Sequence, residues 1–186
     1  MSRTVRWRCA LGTAWVLVLA FVQPVAAQDG AGPPMGTPWV ARVSYVVDGD
    51  SIWVRPEGGG NRVRLRLDGV DAPEICQAYG PESRQALQAL ASNQRVRVTV
   101  RARDRYGRAI ASVVRLDGDV DLGERMVADG WAWTDGWSTH LGKYWRAEAQ
   151  ARWAGRGLFA EGWPELPADF RRRHGPCTAD RPATGH

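Results

Sequence analysis

The chain has no glycine loop of the Walker kind, no paired Cys-x-x-Cys, no Gly-x-Ser-x-Gly elbow and no internal repeat. Those absences remove P-loop nucleotide enzymes, dithiol oxidoreductases, elbow-type serine hydrolases and repeat arrays from consideration. Histidine is scarce, and His140, His174 and His186 are too scattered to suggest a zinc site. His186 is the last residue and His174 follows an arginine run, so neither is assigned a catalytic role. Long apolar runs are missing as well. Beyond the first residues, no segment approaches the roughly 20 apolar residues that a membrane span requires.

The first residues are a separate matter. Arg3, Arg6 and Arg8 precede an apolar run from Leu11 to Val22, followed by Val25-Ala26-Ala27. This is the pattern of a secretory signal peptide over 1–27, so the protein is expected to be exported to a periplasm or to the medium, with no stable membrane span after processing. An uncleaved anchor is the alternative. Cleavage after Ala27 leaves a chain of single-domain size. It also removes three arginines and no acid, so the formal charge of +5 falls to +2. Net charge is then a weak argument for nucleic acid, and distribution says more. Arg95, Arg97, Arg101, Arg103, Arg105 and Arg108 crowd one stretch, while Asp117, Asp119, Asp121, Glu124 and Asp129 crowd the next. A local basic face attracts phosphate without a basic whole.

Of three cysteines, Cys9 leaves with the leader, and Cys76 and Cys177 remain. In an oxidising compartment a single disulfide is the natural expectation, with two unpaired thiols as the alternative.

Residues 28–38 form a glycine- and proline-rich lead-in expected to be flexible. A domain is expected over 39–163, followed by an irregular tail over 164–186. Strand patterns occupy 43–47, 52–55, 62–67, 95–103 and 109–116, with strict alternation from Arg62 to Leu67 and with Val96, Val98, Val100 and Ala102 on one face. Helical patterns follow Pro81, then the capping-box spacing of Asp121 and Glu124 with Gly130 as a stop. A third begins near Thr139, with Leu141, Trp145, Ala149 and Trp153 at intervals of four. The expected fold is therefore α+β, a five-stranded OB-type β-barrel with about three packed helices.

The acids suggest chemistry. Asp50 follows an Asp-Gly turn, and Asp71 and Glu74 stand three apart directly after the strand holding Arg66. Oxygen ligands gathered without Cys or His favour a hard cation such as Ca²⁺ over zinc. A lone Asp-Gly-Asp is common in hairpins and says little alone. Arg66 and Arg108 add meaning, because guanidinium holds two phosphate oxygens at once and meets the negative charge that develops when a phosphodiester is attacked. Arg62, Arg64, Arg97 and Arg101 read instead as outward-facing strand arginines.

DGDS at 48–51, RLDGVDAPE at 66–74, YGPE at 79–82, DRYGR at 104–108 and EAQA at 148–151 resemble the staphylococcal nuclease family in order and spacing. The resemblance implies Ca²⁺ ligation by Asp50, Asp71 and the backbone carbonyl of Ala72. It implies Glu74 as the general base on water, or its orienter, and Arg66 and Arg108 as phosphate-binding groups that stabilise the transition state. Arg105 and Tyr106 match a Lys-Tyr pair that contacts a neighbouring phosphate. The implied reaction breaks the bond to the 5′ oxygen of DNA or RNA and leaves 3′-phosphate ends, with a monomer expected. Two departures stand out. Ala72 replaces a threonine, and the family's tyrosine-bearing stretch is here Trp131 to Trp137, where Trp137 is a candidate to stack on a base or else a core residue. The alternative function is a non-catalytic nucleic-acid-binding module of the same barrel fold, which predicts loss of the acids.

Overall fold

The computed structural model describes residues 35–135, 142–162, 164–175 and Cys177, all within the compact unit Gly32–His186. The expected leader 1–27, most of the lead-in, Trp137, the helix start near Thr139 with Leu141, and the end of the tail lie outside the described residues.

Alternation builds the barrel. Its strands are β1 (Trp39–Val46), β2 (Ser51–Pro56) and β3 (Val63–Leu67), then, beyond the short β4 (Val70–Asp71), β5 (Arg95–Arg103) and β6 (Ala109–Arg115). Along β5 the valines at 96, 98 and 100 are buried while Arg95, Arg97 and Arg101 are exposed. β3 pairs antiparallel with β2 and parallel with β6, so the order β3-β2-β1-β5-β6 closes on itself. The strand expected at 43–47 is only the second half of β1. A bulge between Val43 and Tyr45 lets this strand serve both neighbours, with Trp39–Arg42 against β5 and Ala41–Val46 against β2.

Two helices flank the barrel. α1 (Gly80–Ala91) has proline in its first turn and buries Leu87 and Ala91. A two-residue strand, β7 (Val120–Asp121), leads into α2 (Leu122–Ala128), whose first N–H groups donate to the Asp121 carboxylate at 2.9 and 3.1 Å. The chain leaves α2 through Gly130 at φ 78°. Ile52, Leu65, Leu67, Leu87, Leu122 and Met126 fill the main core. β8 (Trp133–Thr134) pairs with β4, and Trp133 sits in a second apolar cluster with Ala151, Leu158 and Phe159.

Three expectations change. The third helix, α3, spans Trp145–Trp153, and the row expected to be apolar points outward, with Ala149 exposed and Trp153 92% exposed. Ala151 is the buried residue there, because small side chains let α3 lie close to the second cluster. A fourth helix, α4 (Pro167–His174), occupies the expected irregular tail, and four α-helices among the described residues agree with the expectation of about three around the barrel. Ordered contact also begins earlier than the domain start at 39, since Met35 bridges Val100 and the Gly36 N–H donates to the Val100 carbonyl at 2.9 Å.

Candidate active site

Three strand ends and one link meet at the site. Asp50 closes the β1–β2 turn, where its own N–H donates to Asp48 Oδ1 at 3.1 Å. The Leu67 N–H donates to the Asp50 carbonyl at 2.8 Å, which joins this turn to the end of β3. Arg66 stands between buried Leu65 and Leu67 on β3, so alternation turns it to the opposite face. Asp71 ends β4, and Glu74 follows in the link to α1.

Two glycines permit this closeness. A Cβ on Gly49 would lie 1.9 Å from Ser83 Oγ and 2.7 Å from the Ala72 Cβ, so the Asp48–Asp50 turn packs onto α1 and the Ala72 segment only with glycine there. A Cβ on Gly80 would lie 2.1 Å from the Glu74 carbonyl oxygen, so the start of α1 folds directly against the Glu74 backbone.

The side chains converge. Arg66 Nη1 is 2.7 Å from Asp50 Oδ2, and Arg66 Nη2 is 2.9 Å from Asp71 Oδ1 and 3.1 Å from the Val70 carbonyl. One guanidinium fork thus spans both aspartates. Asp50 is 3% exposed and also accepts from Ser51 Oγ at 2.8 Å and from the Ala72 N–H at 3.2 Å. Such a buried carboxylate is stable only with its oxygens satisfied.

The crowding of acids is visible in their proton affinities. Burial, then the charge of Asp50, pushes the Asp48 carboxyl up to about 7. Burial, then Asp50, also raises Asp71, against the pull of Arg66 and Arg171. Arg66 is held more firmly protonated by Asp50. The site is thus short of positive charge.

Ala72 is buried beside Asp50, with its N–H engaged as described. Glu74 has its backbone N–H on Gln77 Oε1 at 3.1 Å, while its Oε1 accepts from Arg171 Nη1 at 2.7 Å. Arg171 also approaches Asp71 at 3.4 and 3.5 Å.

Arg108, with Arg105 and Tyr106 on the same turn, is a sequence-predicted residue that the structure does not join to this cluster. It ends the β5–β6 turn, where Asp104 Oδ1 accepts the Tyr106 and Arg108 N–H groups at 2.9 Å each and Asp104 Oδ2 takes Arg108 Nε at 2.6 Å. Those hydrogen bonds, led by the Arg108 side chain, hold the Asp104 carboxyl below its ordinary range although burial opposes them. Ala109 pairs with Leu65, so Arg108 enters the barrel beside the strand that carries Arg66 while its guanidinium stays on Asp104. Arg105 lies over the Tyr106 ring at 5.0 Å, and Tyr106 is 70% exposed at the tip of the turn.

Cys76 and Cys177 form a disulfide. Glu148, from the EAQA stretch, accepts the Thr134 N–H at 2.7 Å and pairs with Arg152, tying α3 to β8. Trp131 and Trp133 pack against the two apolar clusters. Arg171 was missed by sequence reasoning. Proline at 167, Asp169 in the same first turn, basic residues from 171 to 174 and glycine at 175 were the helix signal that could have placed it.

Among the described residues no three acidic, histidine or cysteine side chains form a ready metal cage. Asp50 and Asp71 nevertheless present oxygen donors of the kind a hard cation takes, and they already share one cationic group in Arg66. The donor set therefore fits a cation completed by backbone oxygen and water.

Fold and site together define an α+β protein with an OB-type barrel and a mixed centre of carboxylates and guanidinium groups. The family profile described as staphylococcal nuclease homologue matches residues 64–161, more than half of the sequence, and the chain belongs to that family. An uncharacterized endonuclease of Haemophilus influenzae is 33% identical over 132 residues, covering 71% of this chain and 72% of its own. A micrococcal nuclease of Shigella flexneri is 32% identical over 142 residues, covering 70% of this chain and 79% of its own. A probable staphylococcal-like nuclease of Oryza sativa is 37% identical over 111 residues, covering 60% of this chain but only 30% of its own.

Proposed function

We propose that the protein is an exported, Ca²⁺-dependent nuclease that hydrolyses phosphodiester bonds of DNA, RNA or both and leaves 3′-phosphate ends. The observation that carries this reading is the convergence of Asp50, Arg66, Asp71 and Glu74 from separate stretches of chain. The names of the relatives, endonuclease and nuclease, support nucleic acid as the substrate. The Cys76–Cys177 bridge supports an oxidising compartment, in keeping with the leader pattern. No helix among the described residues is long and apolar enough to cross a membrane.

Asp50, Asp71 and the Ala72 carbonyl would hold the Ca²⁺. When bound, it supplies the charge that lets a polyanion approach three carboxylates and polarises the phosphoryl group. Arg66 binds phosphate oxygens and meets the charge that develops on them. Arg108 does the same once a phosphate draws it from Asp104. Glu74 takes a proton from the attacking water, or orients it. The water oxygen bonds to phosphorus, the bond to the 5′ oxygen breaks, and that oxygen takes a proton from solvent to leave as a hydroxyl, while Glu74 returns its proton to solvent. Arg105 and Tyr106, exposed on the β5–β6 turn, take a neighbouring phosphate. The enzyme acts as a monomer.

Plasmid relaxation by the purified protein, with Ca²⁺ and with a chelator, tests the reading. Cutting that depends on Ca²⁺ is expected. Cutting that survives chelation would reject the metal, and binding without cutting would make the protein a nucleic-acid-binding module.

A further inference from the structure

Glu74 must present one carboxylate oxygen to water, yet it sits in an irregular link between β4 and α1. A glutamate side chain there loses considerable rotamer freedom if it is to be held in one place. Within the link only its backbone is held, by Gln77. Its side-chain partner comes from the far end of the chain, where Arg171 on α4 donates to Oε1 at 2.7 Å.

That contact is not isolated. Three ties run from the C-terminal segment to residues 74–77. They are Arg171 to Glu74, the disulfide from Cys177 to Cys76, and Gln77 Nε2 to the Glu165 carbonyl at 2.6 Å, with Gln77 itself buried. The Arg171 side chain is 37% exposed and that of Glu74 23%, so the ion pair contributes little to stability. Arg172 and Arg173, its neighbours on α4, turn instead to Asp169 and Glu165 of their own segment. Arg171 alone of the three faces the site, and its Nη1 reaches both Glu74 and Asp71.

We propose that Arg171 is a positioning residue for the hydrolysis, and that the Cys76–Cys177 bridge acts through it by keeping α4 against the link. By holding Oε1, the guanidinium fixes the Glu74 carboxylate and leaves Oε2 to face the water. This inference rests on Glu74 having the role given above.

The test is steady-state kinetics of the full chain with Ca²⁺ on a labelled oligonucleotide, for Arg171→Ala, Arg171→Lys, Cys177→Ser and the Ala/Ser double variant. Misplacement of a reacting group by about 1 Å costs on the order of a hundredfold, so Arg171→Ala should lower kcat by about ten- to a hundredfold. KM should stay nearly unchanged, because Arg171 acts through Glu74 rather than on substrate. Arg171→Lys should recover part of the loss. Cys177→Ser should lower kcat too, and the double variant should be no slower than Arg171→Ala if the bridge acts on Glu74 through Arg171 rather than through the short stretch of link between Glu74 and Cys76. Calorimetric Ca²⁺ affinity should hold or rise in Arg171→Ala, because a positive charge has left the vicinity of Asp71.

Unchanged or increased kcat in Arg171→Ala would overturn the proposal, the increase marking an inhibitory contact. So would single losses that multiply in the double variant, or a fall in Ca²⁺ affinity, which would mark general loosening of the site. If the unsubstituted protein cuts and Glu74→Ser does not, a normal Arg171→Ala overturns this inference alone. If the unsubstituted protein does not cut at all, the nuclease reading fails first.

Discussion

In the proposed mechanism Glu74 and Arg108 divide the chemistry between a proton acceptor and a charge stabiliser, and they stand in different surroundings. Glu74 shares the guanidinium of Arg171 with Asp71, whereas Arg108 is parked on Asp104. Glu74→Ser should lower kcat by about a hundredfold or more, as expected for loss of a positioned base. Arg108→Ala should cost a similar factor if that guanidinium moves onto the phosphate. A Glu74→Ser enzyme of near-normal rate would remove the role assigned here. Asp48 gives a different test. Folded, its carboxyl keeps its proton to about 7, while an unfolded aspartate loses it near about 4. Between those values the folded chain binds more protons, so stability falls as pH rises through the window. In chelated protein, Asp48→Asn should therefore raise Tm more at pH 8 than at pH 5. Parallel Tm profiles for the two proteins would contradict the burial argument.

At the scale of elements, the question is what holds the link between β4 and α1. α1 reaches it through the close approach at Gly80, and the C-terminal segment reaches it through the disulfide. Cys76 and Cys177 are 101 residues apart, so the bridge closes one long loop that holds α1 to α4 and leaves β1 to β4 outside it. In the chain-entropy picture such a loop contributes about 4–5 kcal/mol. Reduction should lower Tm by several degrees, and equal melting of oxidised and reduced protein would contradict it. The elements also show where pattern reading fails. β5 was legible because both faces of its alternation have one environment each, with valines inside and arginines outside. α3 misled because Trp145 and Trp153 recur with helical spacing but lie outside, while Ala151 makes the contact. Spacing reports which residues share a face, not which face the rest of the protein will cover.

For the whole molecule, the acids raise a balance of charge. Asp48, Asp50, Asp71 and Glu74 gather around Arg66 and Arg171, and burial leaves two of the acids holding their protons more tightly than usual. A cation that binds the folded but not the unfolded chain stabilises it by mass action. Adding Ca²⁺ to chelated protein should therefore raise Tm in a concentration-dependent way, and Asp71→Asn should abolish the rise. A Tm indifferent to Ca²⁺ would remove Asp50 and Asp71 as its ligands.

By itself, the order of residues determined the strands of the barrel and the caps of α2, because alternation and capping act over a few neighbours, while Asp50, Arg66, Asp71 and Glu74 were singled out by the resemblance to the staphylococcal nuclease family. The Cys76–Cys177 bridge expected from the sequence is present, whereas the position of Arg108 on Asp104 and the arrival of Arg171 at Glu74 appear only in the tertiary structure. The bridge and the Arg171 contact depend on where segments many residues apart come to rest, whereas the Asp104 contact is made within the β5–β6 turn itself. Packing of the whole barrel sets where those distant segments rest, and no short stretch of sequence contains that.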